Sequence, residues 1–358
     1  MEMQENMFTK TETLKAKCLA VLLILFHHMF SSPEGTAEKI NTHILPLRVL
    51  NTLAIDARFC VWIFVFLSAY GMTVAYNKFE GGNNRYFLHR CLTLYSFCLP
   101  ILAIHYVLNI IFKNPVGMIY KPIYIIFNIL GISDWVSYPA LGDVYWYISF
   151  TLVLIIFFPF LYRVCNIYQY IVFFMGVIIL HGYINLGIHS DVGGYYVQYL
   201  FAILMGIIFA QKGIWNKIYT FNQRKYSKKL FFVVTTLCML VLPYIRNTYI
   251  QSDVLQVKQI LMTFAALAGC SFTFICCRWK WLNIVMTFVG KHSANIFLIH
   301  PLVLRYLGNV IYYTKNVLVS YVTCVGISIL LSMVLEQILE KTGYNALIKK
   351  IDNYICKK

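Results

Sequence analysis

Ten apolar runs divide this sequence, each long enough, or nearly so, to cross the ~30 Å hydrocarbon core of a bilayer. They cover roughly 14–30, 55–76, 92–112, 144–162, 168–188, 195–211, 229–246, 256–277, 287–311 and 317–339. In hydrocarbon each backbone N–H and C=O must find its partner within the segment, so runs of this length fold as helices. The expected fold class is all-α: a polytopic integral membrane protein of about ten transmembrane helices. One domain covers 1–358, with short tails at about 1–13 and 341–358. Composition agrees, since 12% of the residues are charged against about 25% in a soluble domain. The segment 119–132, IYKPIYIIFNILGI, is short and interrupted by Pro122, and reads as an interfacial or re-entrant piece.

Charge sets the orientation. The net charge of +16 is spread over short loops between the apolar runs and forms no continuous basic face, which excludes a nucleic-acid partner. Most basic residues fall in alternate connections, among them Lys10, Lys15 and Lys17, then Lys78, Arg85 and Arg90, then the stretch Lys212–Lys229, then the lysines after Glu340. By the positive-inside rule both termini are cytoplasmic, with the basic side against anionic membrane lipid. All 14 acidic residues lie in loops, tails or helix ends, Asp56, Asp143, Glu336 and Glu340 being nearest to the membrane. An ion-coupled transporter usually needs carboxylates near the midplane, so that class is disfavoured. The 11 cysteines are odd in number and form no CxxC, which points to packing rather than a disulfide framework or a metal site. No small-x-small cleavage site follows His27–His28, so the first apolar run reads as a retained helix, not a signal peptide.

A few polar residues could carry chemistry. The first run, KAKCLAVLLILFHHMF, puts Lys17 at one end and His28 at the other, ~16 Å apart along a helix axis. A histidine buried at that depth is costly and is a functional candidate, although it could simply mark the end of an anchor. Ser68, in WIFVFLSAYGM, is a packing residue or a site residue. Arg85, His89 and Arg90 gather at the entry to the third helix, where arginine forks could hold phosphate or only anchor the loop. Trp146, between Tyr145 and Tyr147, fits an aromatic belt or a stacking platform for a sugar, and Asp143 could accept a sugar hydroxyl. His300 is followed by Pro301, which should kink the ninth helix beside a second buried imidazole.

In order along the chain stand a basic residue, ten further residues and then a His in the first helix, FVFLSAY in the second helix, FLHR at the entry to the third, WYI opening a later helix that ends in Pro, and FLIHP near the end. This series resembles membrane-bound acyltransferase family 3, the ten-helix O-acyltransferases. The resemblance makes His28 the catalytic residue, as base or as covalent acyl carrier. It places Lys17 where the family has Arg and Ala69 where Gly is frequent, and it keeps Arg90 while the second arginine of the family's pair is Thr93. It implies transfer of acetyl from cytosolic acetyl-CoA to a hydroxyl of a cell-surface glycan or glycolipid in the bacterial plasma membrane. Lys17, Arg85 and Arg90 would dock the donor. His300, Ser68, Asp143 and Trp146 would be supporting groups, and no metal would take part. His27, ~100° around the helix from His28, should matter less. The competing class is a non-catalytic glycan flippase or polymerase-associated transporter, which would form no ester and would not depend on His28.

Overall fold

A computed structural model describes residues 8–41, 46–79, 82–112, 121–136, 144–168, 196–222, 227–249, 255–276 and 279–356. All regular structure among them is helical. The first half holds α1 (Lys10–Phe30), α2 (Pro33–Lys39), α3 (Leu47–Asp56), α4 (Cys60–Lys78), α5 (Gly82–Ile111), α6 (Pro122–Leu130) and α7 (Trp146–Tyr168). The second holds α8 (Leu200–Gln211), α9 (Ile214–Asn222), α10 (Ser227–Thr248), α11 (Leu255–Cys276), α12 (Lys280–Lys291), α13 (Ser293–Tyr306), α14 (Gly308–Ile311), α15 (Val317–Lys341) and α16 (Tyr344–Cys356).

Seven helical stretches are long and apolar enough to cross a membrane, and an eighth is possible if α12 and α13, bent by 67°, count as one. The shorter apolar α8 lies over the expected 195–211 run. The run 168–188 lies outside the described residues. The structure moves the break in the ninth run. The chain bends between Lys291 and Ser293, and Pro301 sits inside a continuous α13. The segment around Pro122 forms a helix of 9 residues with the proline in its first turn. Such a helix is ~14 Å long, less than half the hydrocarbon thickness.

α1 is the hub, packing against α3, α4, α11, α12, α13 and α15. Thr9 caps its start by accepting from the Glu12 N–H at 3.5 Å, and Glu12 pairs with Lys15 at 2.6 Å. Both devices fit the positive end of the helix dipole. Two close crossings hold the bundle. A Cβ on Gly290 would collide with the Leu14 carbonyl oxygen, so α12 lies directly on the α1 backbone. A Cβ on Gly206 would lie 2.6 Å from the Phe66 carbonyl oxygen and 2.9 Å from Ala69, so α8 crosses α4 there. Small residues at membrane crossings permit this approach. Gly71, also on α4, meets nothing within 4 Å. Asn316 caps α15 by accepting from the N–H groups of Leu318 and Val319.

Candidate active site

The last turn of α1 carries His27 and His28, and the two imidazoles diverge as their spacing requires. His27 Nδ1–H donates to the Ala54 carbonyl of α3 at 2.8 Å. That bond fixes its tautomer, because a carbonyl only accepts. His28 has no hydrogen-bond partner among the described residues. Its ring centroid lies 5.1 Å from that of His27 and 5.0 Å from that of His300. His28 is exposed, not enclosed as its depth in the sequence suggests. The ring stands two residues from the helix end, beside His300, which is wholly buried.

Pro301 acts on His300 in a different way from a kink. Proline has no N–H, so the Phe297 carbonyl four residues earlier loses its helical donor. The His300 ring N–H sits against the Phe297 and Ile296 carbonyls, 3.3 Å from the latter. With Nδ1 so protonated, Nε2 keeps a lone pair, and that buried nitrogen has no partner among the described residues. Two imidazoles with uncommitted nitrogens thus face one another across α1 and α13.

Cations complete this end of the site, and sequence reasoning passed over them. The Arg58 charge acts on His27, His28 and Arg246. Arg246, on α10, shares Asp56 as a counter-charge, and Asn247 bridges the two by donating to Asp56 and accepting from Arg246. The signal was present: both arginines stand at the edge opposite the basic loops, against the charge bias that placed the others.

The other end of α1 is a cluster of like charge. Arg90 of α5 and Lys10 are the charges that act on Lys17. Lys15, by contrast, is matched by Glu12. Among the described residues no carboxylate pairs with Lys17 or Arg90, and the buried Nε of Arg90 has no hydrogen-bond partner. Gathering cations costs free energy that an anionic ligand would offset. Arg85 stands apart from this group, a turn and a half earlier on α5, and its charge bears on Cys356 of α16.

Of the supporting groups, Ser68 Oγ lies 3.2 Å from the Tyr147 hydroxyl. Tyr147 packs on Phe297, whose ring is 6.1 Å from that of His300. Ser68 thus reaches the imidazole pair only through two aromatic rings. Trp146 stacks on Tyr199 at 5.7 Å, an internal packing role for one of its faces. Asp143 lies outside the described residues.

Two cavities lie along the C-terminal half of α13, and neither is lined by His28 or His300. One, of about 460 Å³, is polar and lined by Glu38, Lys39, Arg305, Asn309, Tyr312 and Lys315. Tyr312 ties it to α1, donating from its hydroxyl to the Met29 carbonyl at 3.3 Å. The other, of about 380 Å³, is an apolar groove between α5, α13 and α15. Tyr306 lines both.

Residues 16–337 match the model of an acyltransferase domain family, which takes in Lys17, His28 and the FLIHP segment. No curated protein and no solved structure matches the chain.

Proposed function

This chain belongs to acyltransferase family 3, and on that footing we propose that it moves acetyl from acetyl-CoA to a hydroxyl of a lipid-linked glycan or cell-surface polysaccharide. The observation that carries the reading is the polarity of α1. One unbroken helix joins a set of uncompensated cations, Lys17 with Arg90 and Lys10, to an imidazole pair, His28 with His300.

The phosphates of the donor lie against Lys17 and Arg90 on the cytoplasmic side, where a guanidinium fork binds them in bidentate fashion. The thioester reaches along α1 toward His28. A sugar hydroxyl is a weak nucleophile at neutral pH and needs a base. His28 takes the hydroxyl proton as the oxygen attacks the thioester carbonyl. The C–O bond forms, the C–S bond breaks, and the proton on His28 passes to the departing CoA sulfur. Arg58, whose charge reaches the His28 ring, supports the negative charge that builds on the carbonyl oxygen.

The acceptor fits the two adjoining cavities. Sugars suit the polar one, with Lys39 over the Tyr312 ring at 5.3 Å, and a lipid tail suits the apolar groove that shares Tyr306 with it. The test uses the protein in proteoliposomes with labelled acetyl-CoA and a glycolipid acceptor. Ester product from the parent chain and none from His28→Ala, at equal membrane insertion, is the expected result. Equal product from both overturns the assignment, and a trapped labelled acyl-histidine would make His28 a carrier instead of a base.

A further inference from the structure

The C-terminal helix α16 is hard to explain by packing. It buries no residue, and Leu347, Ile351 and Tyr354 are exposed. It lies beyond the residues that the family model matches, yet it docks in a defined register on the head of α5. Tyr344 donates to the Ser96 carbonyl at 3.3 Å, and one polar cluster holds the far end. In that cluster His89 Nδ1 lies 2.5 Å from Asp352 Oδ1, and Cys356 Sγ lies 3.9 Å from each.

We propose that His89, Asp352 and Cys356 form a zinc site that pins α16 to the head of α5. The donor set is the first argument. Imidazole nitrogen, thiolate sulfur and carboxylate oxygen together suit zinc, whereas magnesium and calcium call for oxygen alone. Placement is the second. Asp352 and Cys356 are four apart, on one face of α16, and His89 comes from the facing helix. All three donor atoms lie within 4.8 Å of one another, a grouping that recurs nowhere else among the described residues. Size is the third. Zinc bonds of 2.0–2.3 Å in a tetrahedron set donor pairs about 3.3–3.7 Å apart. The two edges to sulfur are near that length, and the shorter His89–Asp352 edge is a hydrogen bond that a metal would replace.

Charge balances as well. Zinc with one thiolate and one carboxylate is neutral, so it adds nothing to an already basic surface, and the fourth position is left to water. A bound divalent cation takes the Cys356 sulfur as thiolate and releases its proton to solvent. Sequence reading passed over the site because it joins His89 to residues 263 and more positions away.

The experiment takes the full chain in detergent micelles, stripped with chelator and then given zinc chloride or cobalt chloride. The chain should retain one zinc per molecule after desalting and show a thiolate-to-cobalt charge-transfer band. Cys356→Ser should abolish the band, and Asp352→Asn should weaken zinc retention at least tenfold. Zinc should also protect residues 341–356 from protease in the parent chain and not in Cys356→Ser. These ligands lie on a surface helix and at a helix start, so the variants should keep their helical circular dichroism. No retained zinc, or equal retention by the His89→Ala, Asp352→Asn, Cys356→Ser triple variant, overturns the site. Retained zinc without protection overturns the pinning.

Discussion

His28 lies on α1 and His292 at the junction of α12 and α13, which pack against it, and their surroundings could hardly differ more. His292 is the residue on which α12 and α13 bend. Its Nδ1 is buried 3.0 Å from the Ser332 hydroxyl and 3.3 Å from Glu336 of α15, and Lys291 reaches the same carboxylate at 3.5 Å. Among the described residues His28 meets no carboxylate; its neighbours are His27, His300 and the Arg58 charge. A histidine whose Nδ1 is held by a hydroxyl and a carboxylate fixes a bend. A histidine among imidazoles and a cation keeps a lone pair that can take a proton. The two ends of α1 repeat the contrast: Lys15 is paired with Glu12 and structural, while Lys17 gathers cations.

The largest effect should separate the two histidines. His28→Ala should lower ester formation by about 10²–10⁴-fold with the melting temperature unchanged, read by product formation and thermal unfolding on one sample. Arg90→Ala comes next. Removing a charge-assisted phosphate contact costs about 1.5–3 kcal/mol, so KM for the acyl donor should rise roughly ten- to a hundredfold with the acceptor KM unmoved. An equal rise in both would make Arg90 a loop anchor. Gly290→Ala should cost about 1–3 kcal/mol of stability by forcing α12 off Leu14, and Gly71→Ala, which meets nothing, should cost none; detergent melting curves compare them. Glu336→Gln should lower stability by about 1 kcal/mol and leave turnover per folded molecule intact, the reverse of His28→Ala. His27→Ala should be the mildest at the site, a few-fold loss of rate from a slackened α1–α3 contact, since its one bond is to a backbone carbonyl.

Much of this was open to inspection before any coordinates. Hydrophobic runs gave the helices because a bilayer leaves the backbone no alternative, and motif order pointed to Lys17, His28, Arg90 and His300. Three things were out of reach. Exposure of His28 depends on what stands opposite the last turn of α1, which is set by α13, some 270 residues later. That Arg58 and Arg246 come together was hidden, because nothing local shows that α3 and α10 pack together. Pro301 suggested a kink by its chemistry alone. The chain bends at His292 instead, where Glu336 and Ser332 hold the break, and proline stays within the helix to free a carbonyl for His300.

The crossing of Gly290 on Leu14 has one more consequence. It clamps α1 near its start, while Ala54 grips its other end through His27, so the helix between them can neither slide nor turn. A rod held at both ends is a gauge. On the function proposed, it sets how long the arm of a donor must be for its head to rest among the cations while its thioester meets the imidazole. Substrates shortened in that arm should be bound and left unreacted, so the enzyme would tell donors apart by length without a pocket shaped to any of them.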